Sequence, residues 1–234
     1  MIQFCNVSKV YDGGTQNGNK SFVKALDGIN LKIEKGEMVF LVGASGAGKS
    51  TLQKLLFKEE SPTTGQILVG GRNIVRLKKR EIPVLRRRMG IVFQDFKLLE
   101  DMTVAENVAF AMEVLKFSRK EIKNTVPKVL EQVGIAYRAN HFPRQLSGGE
   151  KQRAAIGRAI INNPPILLAD EPTGNLDPDT SWEIMKLLEE INLRGTTMLI
   201  ATHDRDIVDS MHKRVVTLSR GKIVSDRRGG YSRV

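Results

Sequence analysis

Apolar residues along this chain of 234 residues fall into short runs of two kinds. Near the start, Ile2–Val7 and Leu31–Ile33 alternate apolar and polar residues, which predicts strands with one buried face. Three further runs are continuously apolar and of strand length, as is typical of buried parallel strands: Met38–Val42, Ile166–Ala169 and Met198–Ala201. None approaches the roughly 18 to 20 apolar residues that a membrane-spanning helix needs.

Helical spacing of apolar residues follows in the middle of the chain. It predicts helices over Val104–Leu115, Lys120–Val133, Gln152–Ile161 and Thr180–Ile191. Because the last of these helices separates two buried strands, the pattern indicates an α/β fold with a parallel sheet. Near the end, Val215–Ser225 contains Arg220-Gly221 between two apolar runs and predicts a hairpin.

The segment Asp12–Asn19 is polar and rich in glycine, and it predicts a loop that cannot pack into a core. The first residues, Met1–Phe4, lack the basic and apolar regions of a secretory signal. One cysteine, Cys5, excludes an internal disulfide and fits a reducing cytoplasm.

Charge adds one further constraint, because the net charge is +11. The basic residues cluster at Lys78-Lys79-Arg80, Arg86-Arg87-Arg88 and Arg227-Arg228. A basic surface can bind nucleic acid or an anionic membrane face. The clusters lack interleaved aromatic residues, so we expect proximity to the cytoplasmic leaflet and no nucleic-acid partner.

The segment Gly43–Ser50 matches G-x-x-x-x-G-K-[ST] between a predicted strand and a predicted helix. In this pattern the glycines let backbone N–H groups converge on phosphates, Lys49 reaches the β- and γ-phosphates, and Ser50 binds Mg²⁺. The buried run Ile166–Ala169 ends in Asp170 and Glu171. Asp170 is therefore a candidate to hold Mg²⁺ through water, and Glu171 to act as general base.

A third element, Leu146-Ser147-Gly148-Gly149-Glu150, lies between these two. In this order the three elements resemble those of the ATP-binding cassette (ABC) ATPases. The resemblance covers essentially the whole chain. It implies a single ABC ATPase domain over residues 1–234, with a P-loop core and β-subdomain (1–94 and 164–234), an N-terminal antiparallel sheet, and an inserted helical subdomain (95–163).

Several site residues follow from this resemblance. It implies that the Ser147 segment completes the ATP site of a second subunit, so that hydrolysis needs a homodimer with two ATP molecules. It also implies roles for Gln94 (Q-loop), Gly174–Asp177 (D-loop), His203 (switch histidine) and Tyr11 (adenine stacking, with Val23 beside it). The candidates are, for catalysis, Glu171, His203, Lys49 and Gln94; for nucleotide binding, Tyr11, Gly43, Ala44, Ser45, Gly46, Ala47, Gly48, Lys49, Ser50, Thr51, Ser147, Gly148, Gly149 and Asp177; and for Mg²⁺, Ser50, Gln94 and Asp170.

One departure from the family pattern is the segment 13–21, which looks longer than usual. Arg86–Leu99, with Asp95-Phe96 after the glutamine, resembles the cell-division ATPases of the family. That implies a four-span membrane partner and, through it, an extracellular peptidoglycan hydrolase. The alternatives are an ATPase of a lipoprotein-release or macrolide exporter, and a basic nucleic-acid-associated ATPase. Candidates for partner contact are Phe96, Leu98, Leu99, Val104 and Phe110, which alternatively fill the helical core, while Asp95 and Lys97 are expected to be exposed.

Overall fold

The computed structural model describes residues 1–16 and 19–229. Its contacts divide the chain into two compact units, Met1–Arg86 with Leu199–Val234, and Arg87–Met198. In chain order the strands are β1 (Ile2–Gln16), β2 (Asn19–Ile33), β3 (Met38–Val42), β4 (Thr64–Val69), β5 (Arg72–Asn73), β6 (Met89–Val92), β7 (Ile166–Asp170), β8 (Thr197–Ala201), β9 (Arg214–Ser219) and β10 (Lys222–Arg228). The helices are α1 (Lys49–Leu56), α2 (Ile82–Arg86), α3 (Val104–Glu113), α4 (Arg119–Gln132), α5 (Gly148–Ile160), α6 (Pro178–Leu193) and α7 (Arg205–Met211). In the described ranges, no helix combines the length and the apolar character that crossing a membrane requires.

The first unit contains an antiparallel sheet in the order β2-β1-β4-β5. One face of this sheet is apolar, and Phe4, Val7 and Ile67 are buried there. Burial of such side chains stabilises the unit by about 1.5 to 3 kcal/mol for each residue. In the same unit β3 pairs with β9 in parallel, and β9 pairs with β10 antiparallel. The sheet that contains these strands is therefore mixed, and it carries the loop between β3 and α1.

In the second unit, β6 pairs with β7 in parallel. Helices α3, α4 and α5 pack together, with Val108, Leu130 and Ile156 buried. Each of these three helices begins with a capping box, in which a Ser or Thr side chain and a Glu three residues later satisfy two backbone N–H groups. These caps fix the start of each helix, including α5, which carries the glycine pair of the third element.

The predicted α/β class, the N-terminal antiparallel sheet and the C-terminal hairpin are confirmed. The loop predicted over Asp12–Asn19 is wrong where the structure describes it, because β1 runs to Gln16 and β2 starts at Asn19. Backbone pairing continues there, with Asp12 opposite Phe22 and Gln16 opposite Asn19. Residues 17 and 18, like 230–234 of the basic tail, lie outside the described residues. The subdivision at residues 95 and 163 stays a prediction.

Candidate functional site

At two positions of the loop between β3 and α1, only glycine fits the backbone conformation and its surroundings. Gly43 has φ 151° and Gly48 has φ 109°. A Cβ atom on Gly43 would lie 2.3 Å from the Leu218 carbonyl oxygen, and one on Gly48 would lie 2.6 Å from the Ala25 carbonyl oxygen. The loop therefore lies directly against two backbone segments, which fixes its curvature.

Lys49 is the first residue of α1 and is only 8% exposed. Its Nζ donates to the carbonyl oxygens of Gly43 (2.7 Å) and Ala44 (3.3 Å), so that its ammonium lies over the loop. The helix is preceded by Gly48, which has no side chain to accept from the first-turn N–H groups, and its first turn contains no acidic residue. A helix N-terminus with a lysine at this point is suited to bind phosphate.

The two adjacent carboxylates stand at the end of the buried strand β7. Asp170 is its last residue and is half-buried. Glu171 has φ 51°, a left-handed conformation that is uncommon outside glycine and that turns the chain sharply after the strand. Its carbonyl oxygen accepts from the Gly174 N–H (3.1 Å). Asp170 therefore ends the strand, and Glu171 lies in the turn that follows it.

The structure brings Gln94 next to the segment that follows Glu171. The Asn175 side-chain amide donates to the Gln94 carbonyl oxygen (3.2 Å). A Cβ on Gly174 would lie 3.0 Å from Gln94 Nε2, so that glycine makes room for the glutamine side chain. The predicted Q-loop and D-loop are therefore neighbours in the second unit, although about 80 residues separate them in the chain.

Ser147 is the N-cap of α5, and its side chain is exposed at the surface. Its Oγ accepts from the Glu150 N–H (3.3 Å). The glycines that follow pack closely against neighbouring segments, since a Cβ on Gly148 would lie 3.0 Å from Leu176 and one on Gly149 would lie 2.5 Å from Thr180 Cγ2. The start of α5 therefore consists of the exposed Ser147 and two half-buried glycines, and a helix N-terminus of small residues is chemically suited to bind an anion.

The carboxylate of Glu150 holds this helix start in place. It accepts from the Ser147 N–H (2.8 Å), from Arg138 Nε (2.8 Å) and from the Tyr137 hydroxyl (3.1 Å). Burial alone would raise the pKa of Glu150, but the hydrogen bonds from Arg138, Ser147 and Tyr137 outweigh it and lower the pKa to about 2. The carboxylate is therefore ionised at neutral pH.

Asp177 is the N-cap of α6, where its Oδ1 accepts from the Thr180 N–H (2.9 Å). The hydrogen bonds from the side chain and backbone of Thr180 lower the pKa of Asp177. His203 is exposed and lies between the end of β8 at Ala201 and Asp204, the N-cap of α7. It lies in the same unit as the Gly43–Ser50 loop from Leu199 onward.

Tyr11 lies on β1 directly opposite Val23 on β2, which confirms the predicted neighbours. The two strands place both side chains on one face, where Val23 is 56% exposed. Lys9 Nζ lies 4.7 Å from the centre of the Tyr11 ring. A half-exposed aromatic ring beside an apolar residue and a cation can stack on a base.

The residues predicted to meet a partner divide into two groups. Val104 is 1% exposed and fills the core as the first residue of α3, so the prediction of surface contact for it is wrong. Leu99 and Phe110 are each 37% exposed, and Phe96 and Leu98 are half-buried. Asp95 and Lys97 are exposed, as predicted, and form an ion pair of 2.6 Å.

Sequence reasoning missed Arg158 on α5. Its guanidinium donates to the carbonyl oxygens of Phe96 (2.9 Å) and Lys97 (2.6 Å), both of which have positive φ. These contacts hold the segment after Gln94 against α5. No local pattern points to them, because they join residues about 60 positions apart. The Ser147-x-x-Glu150 capping box, by contrast, is visible in the sequence.

Comparisons with known proteins identify the family of the chain. The model of the ABC transporter family matches residues 26–174. The chain is 53% identical over 232 residues to the Cell division ATP-binding protein FtsE of Bacillus subtilis (strain 168), with 99% of this chain and 98% of that protein covered. It is 53% identical over 230 residues to the protein of the same name from Mycobacterium tuberculosis (strain H37Rv), with 98% and 97% covered.

Solved structures give the same result for the fold. A dimeric structure of the ATP-binding cassette MJ0796 in a post-hydrolysis state, bound to ADP and Pi, matches with a TM-score of 0.87 at 35% identity, covering 97% of this chain and 98% of that one. A second dimeric structure of MJ0796, described as a bacterial ABC transporter cassette, matches with a TM-score of 0.88 at 36% identity, with the same coverage. The chain therefore belongs to the ABC transporter family, as one of its ATPases.

Proposed function

We propose that this chain is the ATP-binding and hydrolysing subunit of a membrane-bound ABC complex of cell division. The observation that carries the proposal is its 53% identity, over almost the whole length of both chains, to proteins named Cell division ATP-binding protein FtsE. The Asp95-Phe96 pair, which resembles the cell-division branch, supports the same assignment.

ATP is the proposed ligand of the Gly43–Thr51 loop. The fit rests on the glycine positions that a Cβ would fill, on the ammonium of Lys49 over the loop, and on the N-terminus of α1. Ser50, Gln94 and Asp170 would hold Mg²⁺, because hydroxyl, amide and carboxylate oxygens are the donors that this ion prefers. When bound, Mg²⁺ neutralises part of the phosphate charge.

The chain's own residues then divide the work of hydrolysis. Glu171 accepts a proton from the attacking water, as a carboxylate on a sharp turn after a strand is able to do. His203 orients the γ-phosphate. Lys49 stabilises the charge that develops on the phosphate oxygens. Tyr11 stacks on the base and sets the position of the nucleotide.

A homodimer is the proposed active form. Ser147, which is exposed, and the half-buried Gly148 and Gly149 lie at the start of α5. In the proposal they form an anion site that completes the nucleotide site of a second copy of the chain. The dimeric cassettes of MJ0796 support this arrangement, since they share the fold and about a third of the sequence. ATP binding favours the closed dimer, and hydrolysis opens it again.

The proposed partner is an FtsX-like membrane protein with four spans, so that the chain lies at the cytoplasmic face of the membrane. Leu99 and Phe110 offer exposed apolar area for a helix of that partner. Closure of the dimer changes the conformation of the membrane protein, which in turn activates a peptidoglycan hydrolase outside the cell. In this role the chain is a motor that transmits force without transporting a substrate.

The test is a pull-down of tagged Glu171→Gln protein with ATP and Mg²⁺ from detergent-solubilised membranes of its own host. This substitution removes the general base and keeps the shape of the side chain, so that the closed dimer accumulates. Glu190→Gln, the same change at an exposed position of α6, is the matched control. Recovery of a four-span protein with an extracellular domain supports the proposal, whereas recovery of an exporter permease, or of no membrane protein, contradicts it.

A further inference from the structure

The turn between β9 and β10 lies against the loop that precedes α1. The Gly221 N–H donates to the Ala47 carbonyl oxygen (3.0 Å), and the Gly221 carbonyl oxygen accepts from the Asp27 N–H (2.8 Å). Gly221 therefore joins three backbone segments of the first unit, namely β2, the glycine-rich loop and the C-terminal hairpin. These contacts are made by backbone atoms alone.

Only glycine fits at position 221. Its φ is 77°, and a Cβ atom there would lie 2.8 Å from the Ala25 carbonyl oxygen and 3.1 Å from Leu26 Cα. Real Cβ atoms essentially never approach backbone atoms more closely than 3.0 Å, and neither neighbour is a flexible side chain. Gly221 is also buried. A side chain at this position would thus push the turn away from β2 and from the loop.

The hydrogen bond at Ala47 determines the direction of the next N–H group. No cis peptide bond occurs in the described chain. In a trans peptide the C=O of one residue and the N–H of the next point in opposite directions. Because the Ala47 C=O points at Gly221, the Gly48 N–H points away from the turn. Gly48 immediately precedes α1, where N–H groups face a bound phosphate.

We propose that Gly221 is a positioning residue for the nucleotide: it holds the Ala47–Gly48 peptide in the orientation that presents the Gly48 N–H to the phosphates of ATP or ADP. The inference rests on the proposed function of the Gly43–Thr51 loop. It extends the nucleotide site to a hairpin that starts more than 160 residues further along the chain, and it assigns that hairpin a role in phosphate affinity.

The chain offers a matched control in Gly71. It is the second residue of the two-residue turn between β4 and β5, as Gly221 is between β9 and β10, and its φ is 79°. Apart from the glycine itself and its two chain neighbours, no heavy atom among the described residues lies within 4 Å of a Cβ placed on Gly71. Gly71→Ala and Gly221→Ala therefore place a side chain at nearly the same unfavourable φ, and they differ in that the new Cβ at position 221 collides with β2.

The experiment is a calorimetric titration of each purified full-length variant with ADP and Mg²⁺, at a temperature where circular dichroism shows it folded. Gly221→Ala is expected to raise the Kd about tenfold or more, as for a lost hydrogen bond to a charged group. Gly71→Ala is expected to stay within about twofold of the wild type, because a Cβ at Gly71 displaces no neighbouring segment. Equal affinity of Gly221→Ala and the wild type overturns the inference, and so does an equal loss in both variants.

Lys49→Ala separates this inference from the proposed function. If Lys49→Ala binds ADP as tightly as the wild type, the loop is not the phosphate site and the proposed function is contradicted. If Lys49→Ala loses affinity for ADP and Gly221→Ala does not, the proposed role of Gly221 is wrong and the proposed function is not contradicted. Should Gly221→Ala not fold, NMR of the wild type provides the test. We expect a scalar coupling between Gly221 ¹⁵N and Ala47 ¹³C′ across their hydrogen bond. We also expect the Gly221 amide signal to change when ADP binds, and the Gly71 amide signal to stay unchanged. Absence of both overturns the inference.

Discussion

Replacing Glu150 by glutamine tests whether the start of α5 depends on an ionised carboxylate. The carboxylate accepts hydrogen bonds from Ser147, Arg138 and Tyr137. Glutamine has nearly the same shape, but its amide is neutral at every pH and only one of its two terminal atoms is an acceptor. The substitution therefore removes charge and one acceptor from the cap next to the proposed anion site.

The magnitude follows from the pKa of Glu150, which lies at about 2 compared with an ordinary value of 4.5. At 1.36 kcal/mol for each pH unit, this difference corresponds to about 3 kcal/mol of stability. Because the folded-state pKa is lowered, the contribution is present above about pH 4.5 and is lost as the pH falls towards 2. Between pH 7 and pH 3.5 the wild type should lose about 1.4 kcal/mol relative to Glu150→Gln.

The assay is equilibrium unfolding in urea at pH 7 and pH 3.5 for the wild type, Glu150→Gln and Glu121→Gln. Glu121, which forms the capping box of α4 with Ser118, serves as the control. It is exposed, and the hydrogen bonds that lower its pKa come from Ser118. The difference in unfolding free energy between the wild type and Glu150→Gln is expected to be smaller at pH 3.5 than at pH 7. The difference between the wild type and Glu121→Gln is expected to change less between these pH values. A difference that is the same at both pH values would refute the reasoning.

Three further predictions concern single substitutions. Glu171→Gln should lower ATP hydrolysis at least ~100-fold and retain ATP binding, since the amide cannot accept a proton from water; phosphate release near the wild-type rate would argue against this role. Arg158→Ala should lower the free energy of unfolding by about 2 kcal/mol, because the carbonyls of Phe96 and Lys97 lose a charged donor. Arg158→Lys should recover part of this stability. Urea unfolding measures the stability of both variants, and an unchanged midpoint for Arg158→Ala would argue against the contact. Tyr11→Ala should raise the KM for ATP about tenfold with kcat within about twofold, whereas Tyr11→Phe should match the wild type; an unchanged KM for Tyr11→Ala would show that the ring does not stack on the base.

The sequence predicts those parts of the site whose residues lie close together in the chain and form a recognisable local pattern. The strand, glycine loop and helix of Gly43–Ser50 form one continuous segment, and the Ser147-x-x-Glu150 cap spans four residues. Buried strands such as Met38–Val42 are also predictable, because a continuous apolar run of that length has few other stable environments. Local pattern and structure agree in these cases.

Other features depend on contacts between distant segments. The contacts of Arg158 with Phe96 and Lys97, and of Gly221 with Ala47, join residues that have no pattern in common. The glycine and polar residues after Tyr11 predict a loop, but strand pairing between β1 and β2 continues there at Asp12, Thr15 and Gln16. Short elements such as β5, with two residues, carry too little periodicity to be recognised.

The central claim is that each ATP site needs the Gly43–Thr51 loop of one chain and the Ser147 segment of another. Mixing two inactive variants, Lys49→Ala and Ser147→Arg, tests it most directly. Random exchange makes about half of the dimers mixed, and each mixed dimer has one site with both parts intact, so that activity should rise towards about a quarter of the wild-type value. Hydrolysis at the wild-type rate by Ser147→Arg alone, or a mixture that stays at the sum of its inactive parents, would contradict the account.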